Sequence, residues 1–162
     1  QLYIIKIGGA IDDISVNYNT FVAKEASQYA AYYEPDAGSM PASFSANNNI
    51  YARPIDDDNT IWVDFNGVNN YYTLAQWKTV SGEDANSTKS PIAVSSTAQL
   101  RIDYNSTSSE TAVYLPAIYK DMKDNIYPGV AYLLPYSSLV LAEYAAIPGE
   151  QEFLLNIKIV ND

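Results

Sequence analysis

The sequence predicts an all-β protein: the end of a parallel β-helix with a short capping helix, followed by a small antiparallel β-sandwich. Three observations carry this expectation. Strand-type segments rich in Ile, Val and Tyr dominate the chain. Two similar segments, "ISVNYNTFV" and "FSANNNIYA", recur at a spacing in the ~20–50-residue range of stacked repeats. After Pro91 the repeat vanishes, and short strands alternate with Asn, Ser, Pro and Gly turns.

Taken in order, "LYIIKI" is an apolar, β-branched strand. In "ISVNYNTFV", Ile14, Val16 and Tyr18 share one parity, and the chain turns at Asn19. Laying "VNYNTFVA" (16–23) on "SANNNIYA" (45–52) sets Asn17 on Ala46, Asn19 on Asn48 and Phe21 on Ile50. In stacked coils such asparagines lie above one another and can hydrogen-bond as a ladder inside a turn. The same residues also fit two ordinary hairpin loops of a sandwich. Between the repeats, Ala23 to Tyr33 has helical propensity, but Pro35, Gly38 and Pro41 end regular structure, so 23–43 reads as a coil with an enlarged outward loop. "TIWVDFNG" (60–67) is a third extended piece.

"TLAQWKTVSGEDANS" (73–87) breaks the pattern. Thr73 is an N-cap with Gln76 three residues on, and Gly82 supplies the left-handed residue that ends a helix. Leu74, Trp77 and Val80 share a face. Two turns of helix are unstable alone, so this one must dock through Leu74 and Trp77. Covering the open end of a stack of coils would give it that role. Asp84 is expected to hold the following turn through backbone N–H groups.

These residues carry a resemblance. Thr73, Leu74, Ala75, Gln76, Trp77, Gly82, Asp84, Ser87 and Pro91 match the segment that follows the last coils in many secreted bacterial right-handed parallel β-helix proteins. Those are mostly polysaccharide lyases and glycoside hydrolases of the pectate-lyase-like superfamily. The two Asn-bearing repeats resemble their coil ends, and the likeness spans roughly residues 10 to 95. Further on, Leu133, Pro135, Tyr136, Ser137, Ser138, Val140 and Leu141 resemble the final strand of the accessory β-domain that trails many carbohydrate-active enzymes. The organisation expected is therefore terminal coils and cap over 1–91, a sandwich over 92–145, and a linker with the start of a further strand, "FLLNIKIV", over 146–162. The family keeps its catalytic residues in its middle coils. The resemblance thus implies that catalysis lies upstream and that this chain is a non-catalytic C-terminal region of an extracellular glycan-degrading or glycan-binding protein.

Composition narrows the chemistry. The chain has 162 residues and contains neither His nor Cys, which excludes disulfides, thiolate nucleophiles, His bases and His or Cys metal sites within it. A net charge of −10 with scattered Lys and Arg argues against nucleic acid, and no apolar run is long enough for a membrane span. Lyases of the resembled family abstract a proton with Lys or Arg, often beside calcium, and here Lys24 and Arg53 are the only basic residues in the coil bodies. Each reads equally as a surface residue. Asp56, Asp57, Asp58 and Asn59 offer oxygen ligands for calcium or form a solvated loop, and Asp12 and Asp13 read as a turn. Glu25, Glu34, Asp36, Asp64 and Asp84 contain no pair that spacing selects for glycoside hydrolysis. Tyr29, Tyr32, Tyr33, Tyr71 and Tyr72 are candidate platforms for a polysaccharide or surface glycan, or else core aromatics. The alternative role is a structural surface module, such as an adhesin, stalk or filament subunit, whose terminal strands pair with neighbouring subunits.

Overall fold

The computed structural model describes residues 2–5 (backbone), 13–35 and 39–147. Asp12, Asp36 and "FLLNIKIV" lie outside the described residues. The chain is mostly β, with one α-helix and several sheets. It divides into two compact units, Gln1–Ala98 and Gln99–Asp162.

The first unit is built from strands that return to the same place once per circuit. β1 (Leu2–Ile5), β4 (Ala31–Glu34) and β7 (Ile61–Phe65) pair in parallel, with Leu2 opposite Ala31 and Ala31 opposite Ile61. β2 (Ser15–Asn17) pairs with β5 (Ser45–Asn47), and β3 (Thr20–Val22) pairs with β6 (Ile50–Ala52), both parallel and both offset by 30 residues. β6 pairs in turn with β9 (Thr88–Lys89), Ile50 opposite Thr88, an offset of 38. The longer circuit contains an insertion. β8 (Val68–Tyr72) folds back antiparallel on β7 through Asn66 and Gly67, whose φ values of 55° and 83° are those of a two-residue type I′ hairpin turn. The helix α1 (Leu74–Ser81) follows. The chain regains the stack at Asp84, whose N–H donates to the Ala46 carbonyl.

This register corrects the alignment read from the repeats by one residue. Val16 faces Ala46, Asn17 faces Asn47 and Phe21 faces Tyr51. A one-residue slip would turn every side chain to the other face, whereas here Val16 and Ala46 are both buried. The bend also falls one residue early. Tyr18 and Asn48 have left-handed φ values of 58° and 56°, and Tyr18 is 82% exposed rather than sharing the inward parity of Val16. Among the described residues a single amide-to-amide rung forms, Asn19 Nδ2 donating to Asn49 Oδ1 at 3.3 Å. Asn49 Oδ1 accepts from the Asn19 backbone N–H at 2.9 Å, and the Asn49 N–H donates to Ser87 Oγ at 2.8 Å.

A further difference lies in 23–43. Rather than forming one enlarged loop, this stretch contributes β4, because Ala31 and Tyr33 find buried places between neighbouring strands. Tertiary pairing overrides the helical propensity of "EASQYAA". Inside the first unit, Tyr33, Phe44, Tyr51, Ile61, Val63, Leu74 and Trp77 belong to one apolar cluster. The helix serves that cluster. Thr73 and Gln76 form a capping box, Gly82 ends the helix at φ 75°, and Leu74 and Trp77 are buried while Val80 is exposed. The Trp77 ring stacks on Tyr33 at 5.2 Å.

In the second unit, β10 (Leu100–Tyr104), β11 (Thr111–Asp121), β12 (Ile126–Leu133) and β13 (Ser138–Ala145) form one antiparallel sheet in the order β10-β13-β11-β12. The second layer of a sandwich is absent among the described residues. β11 breaks register between Tyr114 and Ile118, the stretch holding Pro116, which has no N–H for the ladder. Leu115, Ala117, Tyr119, Ala131, Leu133 and Leu141 bury one face. Asn105 Nδ2 donates to the carbonyls of Ser109, Leu133 and Leu134 and pins the β10–β11 connection. The boundary falls after Ala98 rather than Pro91 because Val94 is buried and its N–H donates to the Pro54 carbonyl.

Candidate functional site

Strand alternation sorts the candidate tyrosines. In β4, Ala31 and Tyr33 point into the core, so Tyr32 and Glu34 take the opposite face. In β7, Ile61 and Val63 point inward, which places Trp62 and Asp64 outward. In β8, Tyr72 packs with the core cluster beside Trp77, and Tyr71 faces outward at 45% exposure. Register then lines up Tyr32, Trp62 and Tyr71 across three neighbouring strands.

The result is an aromatic row on the outer face, in which Tyr71 is exposed and Tyr32 is itself buried at 8% exposure. Trp62 lies 4.2 Å from Tyr32 and stacks on Tyr71 at 6.0 Å between ring centroids. Tyr29, from the preceding loop, stacks on Tyr71 at 5.5 Å and tilts against Trp62 at 5.3 Å. Three of the five candidate tyrosines therefore converge. Tyr33 and Tyr72 do not, being committed to the core; the Tyr33 hydroxyl is 3.2 Å from that of Tyr51, and burial pushes both phenols well above their ordinary pKa. Burial also raises the Tyr29 phenol, with Tyr71 adding to the effect.

Sequence reasoning missed Trp62, the centre of the row. Its signal was the alternation Ile61-Trp62-Val63-Asp64 beside the Asn66-Gly67 turn, which marks one parity as outward.

Polar groups flank the rings. The Tyr32 hydroxyl donates to Glu34 Oε2 at 2.8 Å, and Trp62 Nε1 donates to Asn69 Oδ1 at 2.7 Å. Glu34, Pro35, Asp64, Asn66 and Gly67 line an open cleft of about 320 Å³ beside the row. Asp64 Oδ1 accepts the Gly67 N–H at 2.6 Å.

The other candidates serve the frame. Arg53 is buried rather than at the surface. Its guanidinium donates to the carbonyls of Ala26, Gln28 and Asp56, pairs with the Asp56 carboxylate at 3.0 Å, and lies 6.0 Å from the Tyr29 ring centroid. Buried and paired in this way, the group serves the frame. Lys24 and Glu25 are exposed, and their backbone N–H groups donate to Gln28 Oε1. Asp57 pairs with Lys89, and Asp58 takes part through its N–H to Asp56 Oδ1. Thr60, next to Asn59, closes the loop by donating to the Asp57 carbonyl. Among the described residues no group of three or more acidic side chains converges on a metal position.

Asp84 is structural, but not through backbone N–H groups. Its buried carboxylate accepts from Trp77 Nε1 at 2.9 Å, Tyr51 Oη at 3.1 Å, Asn49 Nδ2 at 3.2 Å and Ser87 Oγ at 2.5 Å. It thus ties the helix, the amide rung and β6 together.

Comparison of the chain with protein families, curated proteins and solved structures finds no match. Among the described residues no helix is long and apolar enough to cross a membrane.

Proposed function

We propose that the outer aromatic row of the first unit is a glycan-contact surface. On this reading the unit comprises the closing coils and cap of a right-handed parallel β-helix. It belongs to the non-catalytic C-terminal region of an extracellular protein that degrades or binds polysaccharide. The observation that supports it most is Trp62, outward on β7 and flanked by Tyr29, Tyr32 and Tyr71. Cross-strand aromatic pairs also stabilise the sheet itself. Four rings in contact, with hydroxyl and carboxylate groups at their edge, suit the apolar faces and hydroxyl rims of sugars. Isothermal titration against a panel of oligosaccharides tests this. Dissociation constants of ~0.1–1 mM, weakened about tenfold or more by Trp62→Ala, are expected, with no product formed. Equal binding by wild type and variant would defeat the proposal.

A second reading, assembly with neighbouring subunits, is favoured by exposed Ile102, Tyr104, Tyr114, Tyr132 and Tyr144 on the second unit. Concentration-dependent oligomers that Tyr114→Ser and Tyr132→Ser disperse would support it.

A further inference from the structure

We infer that the aromatic row ranks glycans by charge, taking amine-bearing sugars ahead of neutral ones and rejecting polyuronates. This rests on the reading of the row as a glycan platform. The charged side chains that line the cleft beside the rings are, among the described residues, both acidic. Glu34 shares the outward face with Tyr32 and accepts its hydroxyl, and Asp64 shares that face with Trp62. Both line the cleft beside the row, and no Lys or Arg is among the described residues that line it. Arg53, the cation that lies over the Tyr29 ring, is 2% exposed and held by three carbonyls and Asp56, so it offers a sugar carboxylate nothing.

A sugar seated on Trp62 therefore brings its substituents toward two carboxylates. A uronate there meets repulsion with no counter-charge among the described lining residues, and it also approaches a chain of net charge −10. A sugar ammonium meets attraction and can donate to Glu34 or Asp64. The rings supply the contact, and the acidic edge selects. The resembled lyases act on uronates, so this edge separates the row's ligand from their substrate class.

Three six-unit probes test the order by titration at low salt: chitohexaose, its fully N-acetylated counterpart, and hexagalacturonate. Chitohexaose is expected to bind at least fivefold more tightly than the acetylated probe, and hexagalacturonate at least tenfold more weakly. The advantage of chitohexaose should fall to under twofold at 0.5 M salt, where the screening length shrinks to a few ångström, and in the double variant Glu34→Gln, Asp64→Asn. Trp62→Ala should weaken the first two probes alike. Trp62-dependent binding with hexagalacturonate equal or tighter, or a chitohexaose advantage that survives the double variant, would overturn the charge order while leaving the platform standing. Failure of all three probes, or binding indifferent to Trp62→Ala, would overturn the platform and the charge order with it.

Discussion

Trp77 offers the sharpest test of how the first unit is held together. The side chain is fully buried, stacks on Tyr33 at 5.2 Å and donates to Asp84 at 2.9 Å. Replacing a buried aromatic by alanine costs ~3–5 kcal/mol through lost transfer energy and the cavity left behind. Loss of a hydrogen bond to a charged group adds ~1.5–3 kcal/mol. The two overlap because they share one site, so Trp77→Ala should destabilise by about 4–6 kcal/mol. Trp77→Phe separates the terms. It keeps a ring on Tyr33 but removes the donor, leaving Asp84 with Tyr51, Asn49 and Ser87. Its cost should be ~1.5–3 kcal/mol. Urea unfolding followed by circular dichroism measures both, with the first unit's transition treated separately, since two units need not unfold together. A Trp77→Phe variant as stable as wild type, or a Trp77→Ala loss below ~1 kcal/mol, would refute the idea that the helix is locked by this network.

Three other outcomes are expected. Gly82→Ala places a Cβ at φ 75° with open space around it, so its cost should be backbone strain alone, ~1–2 kcal/mol, read from the same unfolding curves. In the second unit, burial works to raise the Asp121 pKa, but hydrogen bonds from Asn125, Lys123 and Tyr127 outweigh it and hold the carboxyl below its ordinary value; the same contact and burial lift the Tyr127 phenol to about 12. A depressed carboxylate stabilises the fold above its unfolded pKa of ~3.9 and loses that contribution as pH falls through the folded value, so the second unit's melting temperature should drop on acidification below about pH 4, and less so in Asp121→Asn. Chelation by EDTA should leave the first unit's melting temperature unchanged, because Asp56 and Asp57 already face Arg53 and Lys89; a drop restored by calcium would make that loop a metal site.

What the sequence made legible was chiefly local chemistry. Thr73, Gln76 and Gly82 announce the helix because capping acts within a few residues. The recurrence of Asn-bearing strands announces strands that pair in parallel one repeat apart. Asn47, Asn48 and Asn49 are consecutive, so either alignment matches an asparagine, but an offset of 30 matches two, Asn17 with Asn47 and Asn19 with Asn49, and the joint burial of Val16 and Ala46 agrees with it. β4 hid behind the alanines before it, since its stability comes from β1 and β7 on either side. Arg53 looked like a surface cation because its partners, Ala26, Gln28 and Asp56, come from two loops whose backbone carbonyls no motif records. Of the binding candidates, Tyr29, Tyr32 and Tyr71 were found by residue type. Trp62, which joins them, needed knowledge of which parity faces the core.

The chain holds two tryptophans, one on the outer row and one in the core, and this allows the central claim to be read from a single spectrum. Each contributes one indole N–H resonance. In a titration with an oligosaccharide that binds, the Trp62 indole signal should shift progressively to saturation while the buried Trp77 signal, held on Asp84, stays in place. A saturating ligand that moves neither indole, or that moves Trp77 and leaves Trp62 unchanged, would contradict glycan contact along the aromatic row.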